Sequence, residues 1–411
     1  MTNDQPTFGF QASNFFRHSS LDISHSRLLL VLTLVLFCAS LRAEWTRHTI
    51  DDSSRGADGV RVSDANGDRL PDLTTGWEEG GVIRVYLNPG PEKATHAWPA
   101  VTVGRVKSPE DAVFADLDGD GSVDVVSSCE GKTRSIFVHW APQDPKQYLT
   151  EEAWTTQVLP CAQGKEMWMF AVPLQADGAH GTDLIVGSKG GSASVSLLQA
   201  PKNPRNVDAW KLHRLYDAGW IMSLQLHDMN ADGDHDVLVS DRKGPTRGVL
   251  WLENPGGKRA LERWPTHRLG GEDREVMFLS RAPRKSDYPN SVFAAVRGSG
   301  FSILSPPNWT YGEIAMPENC GTGKGIAVAD IDLNGRTDLV FSCENAAGHK
   351  SGVRWLSRTG DAWKDHEISG PEGVKFDRLE ILDLDQDGDL DVVTCEERAN
   401  LGVIWYENPT R

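Results

Sequence analysis

The chain has 411 residues, 39% of them hydrophobic and 24% charged, ordinary values for a folded protein, and no shift in composition divides it into two domains. Forty glycines and 22 prolines mark many turns, while apolar stripes at helical spacing are absent, so the pattern is all-β. A net charge of −16 with no basic stripe excludes nucleic acid as a partner, because phosphate binding needs clustered Lys and Arg.

Residues 1–43 read as a signal peptide. Arg27 precedes an apolar run from Leu28 to Ala39 broken only by Thr33. The run is too short for a bilayer-spanning helix but suits a signal core, with Ser40 or Ala43 closing the cleavage site. The other reading is a retained membrane anchor. A cleaved signal makes the mature protein secreted or periplasmic, with no membrane span, and removes Cys38. Five cysteines then remain, an odd number.

From residue 44 onward the chain repeats. A strand opening on Trp recurs at Trp45, Trp98, Trp154, Trp210, Trp264, Trp309 and Trp363, at steps of 45 to 56 residues. Between these strands an apolar run enters an acidic loop and leaves it as a second apolar run, and a third strand ends in a turn, as in GVIWYENP at Gly402. Each unit therefore holds four short strands. One such sheet cannot bury both its faces, whereas sheets packed radially about an axis bury one another. The expected fold is a seven-bladed β-propeller over 44–411. The chain begins on a fourth strand and ends on a third, so the Trp45 strand is expected to pair with the last blade and cover its open edge. The shared histidines of the Trp strands, His48, His213, His267 and His366, lie on separate blades and read as packing residues.

Five units carry the pattern D-x-[DN]-x-[DN]-x-x-x-D. They are Asp64, Asn66, Asp68 and Asp72; Asp116, Asp118, Asp120 and Asp124; Asp228, Asn230, Asp232 and Asp236; Asp330, Asp332, Asn334 and Asp338; and Asp383, Asp385, Asp387 and Asp391. Alternate oxygens in a tight loop suit a hard cation, which takes six to eight oxygens at about 2.4 Å. Four of the loops place Gly at position six, Gly121, Gly233, Gly335 and Gly388, where the chain must bend; the first has Arg69 there. A helical calcium hand is excluded, since position 12 is never Glu and the flanks are β-rich. About five Ca²⁺ ions are expected. The third unit keeps only Asp177 and Asp183, and the fifth, SRAPRKSDYPNS, has no equivalent.

The acidic loops between apolar strands resemble FG-GAP/VCBS-type repeats, the calcium-loop propellers of integrin α-subunits and many exported bacterial proteins. The resemblance spans nearly all of 44–411. It implies the propeller fold, calcium in the loops, and a ligand face at the opposite end, but no single function. The GVIWYENP-type strand endings are also similar to the propeller of aldos-2-ulose dehydratases, which are sugar-modifying lyases.

Antiparallel geometry sends the loops after the second strands, and those before the first strands, to the end opposite the acidic loops. Candidate ligand-face residues there are Glu130, Lys165, Trp168, Trp220, Arg274, Lys324, Glu344, Lys375, Arg378 and Glu396, beside Arg55, Asp58, Trp77, Glu78, Glu110, Asp111, Cys129, Glu166, Asp241, Arg242, Lys243, Asp273, Arg297, Cys343 and Cys395. Exposed aromatics among charges suit a glycan or an extracellular protein ligand bound by a monomer. No nucleophile elbow, phosphate loop or HExxH stretch is present, so catalytic residues are not assigned. A lyase or dehydratase with its site at the mouth is the alternative reading. Two disulfides are expected, Cys320–Cys343 within the sixth unit and Cys129–Cys161 between the second and third, leaving Cys395 free.

Overall fold

The structure is a computed structural model that describes residues 44–360 and 362–411. The expected signal peptide, 1–43, lies outside the described residues. Twenty-eight strands form seven four-stranded antiparallel sheets. Their first strands are Ala57–Ser63, Pro109–Ala115, Met167–Leu174, Ile221–His227, Val276–Arg281, Thr322–Ala329 and Phe376–Leu382. Each of these packs against its counterpart in the next blade, and the last packs against the first, so the ring is closed. No helix among the described residues is long and apolar enough to cross a membrane.

Six blades are built from consecutive strands. The seventh takes its fourth strand from the start of the chain: Thr46–Asp51 pairs antiparallel with Gly402–Glu407, Thr46 facing Glu407 and Thr49 facing Ile404. The pairing is backed by side chains. His48 Nε2 lies 2.7 Å from Glu407 Oε2, and Asp51 accepts from Arg84 Nη1 at 2.5 Å and from the Tyr86 hydroxyl at 2.9 Å. Arg84 and Tyr86 belong to the first blade, so one strand ties the last blade to the first. Burial works against the Asp51 charge, but Ser53 and the Arg84 guanidinium outweigh it and hold the carboxyl below its ordinary value.

The core consists of apolar layers between neighbouring sheets. Ile50, Trp77, Tyr86, Trp98, Val393 and Trp405 fill the layer between the seventh and first blades. Trp98, Trp154, Trp210 and Trp264 are buried, and each donates its indole N–H to a backbone carbonyl of the preceding loop, at 3.0, 2.8, 2.8 and 2.9 Å. These repeated tryptophans thus do two jobs, filling the layer and pinning the loop before their strand. Three of the repeated histidines pack on a tryptophan of the third strand: His267 stacks on Trp251 and His366 on Trp355, while His48 meets Trp405 at a tilt.

Every first strand carries a β-bulge near its start, at Asp58/Arg61, Pro109/Asp111, Trp168/Phe170, Ile221/Ser223, Val276/Leu279, Gly323/Ile326 and Phe376/Leu379. A bulge shifts the side-chain alternation and increases the local twist. In the first blade Gly59, at φ 69°, takes the left-handed conformation the bulge requires.

All five cysteines of the described residues are free thiols, so neither expected bridge is formed. Cys320 and Cys343 are within hydrogen-bonding contact, and the Cys320 thiol lies 2.9 Å from the Pro317 carbonyl. Cys129 and Cys161 are separated by a sheet. Cys129 packs among Phe114, Val125 and Trp154, between the first and second blades, whereas Cys161 packs against Leu159 and Trp168, between the second and third.

Two outcomes test the closure. Deleting residues 44–51 should bare the edge of Gly402–Glu407 and give oligomers in sedimentation; a monomeric variant of unchanged stability would show that closure is dispensable. Asp51→Asn should lower the melting temperature at neutral pH. Because the folded Asp51 carboxyl is held below its ordinary 3.8, this deficit should shrink on acidification through that value, as calorimetry across pH would record.

Candidate functional site

The two ends of the ring carry different chemistry. The acidic loops join first to second strands at one end. Within them the position-nine aspartates, Asp72, Asp124, Asp236, Asp338 and Asp391, are buried. Each accepts one backbone N–H from the start of its loop and one from the end of the third strand or just beyond it. Asp72 takes those of Ala65 and Asn88 at 2.9 and 2.8 Å; Asp391 takes those of Leu384 and Asn408, both at 2.9 Å. Asp183 of the third blade makes the same pair, to Ala176 and Ala200 at 3.1 and 2.8 Å, without the rest of the pattern. Position nine is therefore a backbone staple in its own right. Burial, reinforced by neighbouring carboxylates, pushes Asp124 and Asp391 up to about 7.

The remaining loop oxygens differ from blade to blade. Carboxylates of Asp116, Asp118 and Asp124, of Asp330, Asp332 and Asp338, and of Asp383, Asp385 and Asp391 converge with their oxygens within 4.8 Å of one another. In the sixth and seventh blades Asp332 Oδ1 and Asp383 Oδ1 are buried with no hydrogen-bond partner. In the second blade Arg205 reaches across from the third and pairs with Asp118 and Asp120. In the first and fourth blades an Asn amide satisfies a neighbouring Asp, Asn66 donating to Asp68 at 2.9 Å and Asn230 to Asp232 at 2.8 Å. The seventh loop also holds Asp389, absent from the sequence assignment, buried with Oδ1 unpartnered.

At the opposite end, the mouth, charged groups converge from five blades. Asp58, Glu78 and Glu397 bring carboxylate oxygens within 4.8 Å of one another, and so do Glu78, Glu110 and Glu130. Lys189 pairs with Glu110 at 3.3 Å and with Glu130, Lys375 pairs with Glu397, and Lys324 pairs with Asp377 at 3.0 Å. Burial lifts Asp58 to about 7, opposed by Lys324 and reinforced by Glu397. Burial and Asp58 raise Glu110 well above the usual carboxylate range. Burial opposes the Lys189 and Lys375 charges, but the adjoining carboxylates outweigh it, so both ammoniums stay charged.

Trp220 sits beside this cluster. Lys189 Nζ, the Arg242 guanidinium carbon and Lys243 Nζ lie 4.9, 4.5 and 4.8 Å from its ring centroid. Its indole N–H is buried without a partner. Arg242 pairs with Glu275 at 3.0 Å, and Arg297 with Glu344 at 3.4 Å.

Of the sequence-based candidates, Glu130, Trp220, Lys324 and Lys375 meet in or beside the cluster, and Glu344 is paired at the same end. Five take other places. Trp168 is a core residue, fully buried, with its indole N–H bonded to Ala162 at 3.0 Å. Glu396 is also fully buried and holds backbone: it accepts N–H groups of Val374, Lys375, Arg398, Ala399 and Leu401 at 2.9 to 3.3 Å. Arg378 lies deeper in the channel, bonded to Glu380 at 2.7 Å beside a cavity of about 70 Å³. Arg274 turns outward to Glu313 at 3.0 Å, and Lys165 is exposed on its loop.

The residues overlooked were Lys189, Asp377 and Glu397. A signal for two of them exists. Six residues past each position-nine Asp stands a charged side chain: Glu78, Glu130, Lys189, Arg242, Glu344 and Glu397. Arg297 stands six past Ser291 in the fifth blade. The same count picks Glu397 over Glu396.

The Glu396 contacts carry their own prediction. Glu396→Ala should cost about 3 kcal/mol or more, because it strands several buried N–H donors. Lys165→Ala should leave the melt unchanged. Denaturant unfolding of the two variants reads the difference.

A profile of the FG-GAP-like repeat family matches residues 64–127, which hold the first two acidic loops. No curated protein sequence matches the chain. The crystal structures of BBS1N in complex with ARL6DN, soaked with mercury and with lead, resemble it at TM-scores of 0.53 and 0.55 and 10% identity. These alignments cover 88% and 90% of this chain and 96% and 98% of theirs, a likeness of fold alone. The chain is a seven-bladed β-propeller, and its residues 64–127 are similar to the FG-GAP-like repeat.

Proposed function

We propose that this propeller is an exported, monomeric, calcium-stabilised binding module whose mouth takes a polar, hydroxyl-rich ligand, a glycan. The observation that carries the reading is the convergence of buried and half-buried carboxylates and ammoniums from separate blades beside Trp220. Such groups offer a sugar several fixed acceptors and donors on a rigid frame, which keeps the ordering cost of binding low. An extracellular protein ligand is the other occupant of a binding mouth.

Calcium belongs to the acidic end. The donor set is all oxygen, as a hard cation prefers. The sixth and seventh loops fit best, since each brings three carboxylates together and leaves a buried oxygen unpartnered. Bound there, the ion neutralises repulsion within the loop and locks its backbone, away from the ligand end.

A lyase or dehydratase acting on a sugar is the second reading. It is favoured by ammoniums directly beside carboxyls, Lys189 with the half-buried Glu110 and Glu130, and Lys375 with the buried Glu397. This arrangement puts a proton acceptor next to a group that steadies developing negative charge.

A polysaccharide-depletion or glycan-array measurement tests the module. Lys189→Ala and Glu130→Gln should each weaken glycan capture by about tenfold, one charged hydrogen bond's worth, while Lys202→Ala on the outer surface should not. Capture unaffected by both mouth variants would refute the site. Appearance of a new carbon–carbon double bond in the recovered sugar, followed by ultraviolet absorbance, would select the lyase.

Chelation should lower the melting temperature, since an ion bound by the folded state alone stabilises it. Asp332→Asn and Asp383→Asn should shrink that calcium-dependent increment. Asp183→Asn removes a staple from a blade without the calcium pattern, so it should destabilise equally with and without calcium.

A further inference from the structure

The mouth has an imbalance that its own lysines do not remove. Among the described residues, the ion pairs that Asp58, Glu78, Glu110, Glu130, Asp377 and Glu397 make there are those with Lys189, Lys324 and Lys375. Lys189 serves Glu110 and Glu130, Lys324 serves Asp377, and Lys375 serves Glu397. Asp58 and Glu78 have no cation within ion-pair distance, although Lys324 and Lys375 act on Asp58 from farther off. Neither side chain has an ion pair or a hydrogen-bond donor among the described residues, although Asp58 is 4% exposed. Asp58 is buried and Glu78 half-buried, and Lys324 and Lys375 offset the Asp58 charge only in part, since burial still lifts it to about 7; a carboxylate held out of water without a direct partner favours a positive occupant.

Geometry narrows the class. Oxygens that lie within 4.8 Å of one another can share a single ion at about 2.4 Å, the distance a hard divalent cation keeps from carboxylates. Asp58, Glu78 and Glu397 meet that condition. They come from the start of one first strand and from the ends of two second strands, on the first and seventh blades, so the ring itself holds them in place. We propose that Asp58, Glu78 and Glu397 bind a divalent cation, with calcium as the probe, at the end of the propeller opposite the acidic loops. Lys375 shares Glu397 with the ion and limits the affinity, so this site fills after the loops.

Equilibrium dialysis against calcium, followed by elemental analysis of the full chain, tests the site. Asp58→Asn with Glu78→Gln should bind one ion fewer per chain than the unmodified protein at saturation. Asp332→Asn and Asp383→Asn should lower the binding of the loops and leave the ion at the mouth. The double variant removes two buried charges and so should keep the fold, which its melt in calcium will verify; Glu78→Gln alone gives the same comparison with a smaller change. Equal ion counts in the folded mouth variants and the unmodified chain would overturn the assignment. That result would also follow if an organic amine occupied the site.

Discussion

A buried carboxylate in six of the seven blades organises the acidic end of this ring. Asp72, Asp124, Asp183, Asp236, Asp338 and Asp391 each spend one oxygen on the start of a loop and the other on the chain at or just beyond the end of the third strand. The staple joins segments that the sheet ladder does not join. Hydrogen bonds to a charged acceptor are each worth about 1.5–3 kcal/mol, so the loop acquires a fixed shape from the protein's own backbone. The fifth blade uses Ser291 at that place, bonded to Ser305 at 3.0 Å, and its loop follows a different course with no acidic pattern.

Because the staple fixes where each second strand begins, it also fixes where that strand ends. Six residues on, every blade delivers a charged side chain to the mouth, acidic on the sixth, seventh, first and second blades and basic on the third, fourth and fifth. The two ends are thus linked by register, not by contact. An insertion of one residue in a second strand would turn its charged side chain to the other face of the sheet.

The blade count, the closing strand and the acidic loops were legible because their signals are local: alternating apolar runs, turn residues and a fixed carboxylate spacing. The mouth was legible only in outline. Locating it needed the first strands, and each of those has a bulge that composition does not announce. Trp168 flanks such a bulge, which is why a tryptophan counted onto the ligand face lies in the core. The choice between Glu396 and Glu397 turned on a single residue of register, and simple alternation from the end of an apolar run cannot make it. The Cys129–Cys161 pairing failed for a different reason. Sequence proximity of two blades does not say on which side of a sheet a thiol lies, and Cys129 and Cys161 lie on opposite sides of theirs.

The closing strand bears on how the fold is reached. His48 and Glu407 are 359 positions apart along the chain, yet they touch in the finished ring. Contacts of such separation must wait for almost all of the polypeptide, and loop-closure entropy opposes them until neighbouring blades have formed. Six blades can form as local meanders from consecutive strands, whereas the seventh exists only when both termini are present. Until then the Gly402–Glu407 strand is an open template for pairing with another chain. The slowest and most aggregation-exposed moment in folding is therefore the capture of Thr46–Asp51, and a chaperone that masks this edge would act on the seventh blade alone.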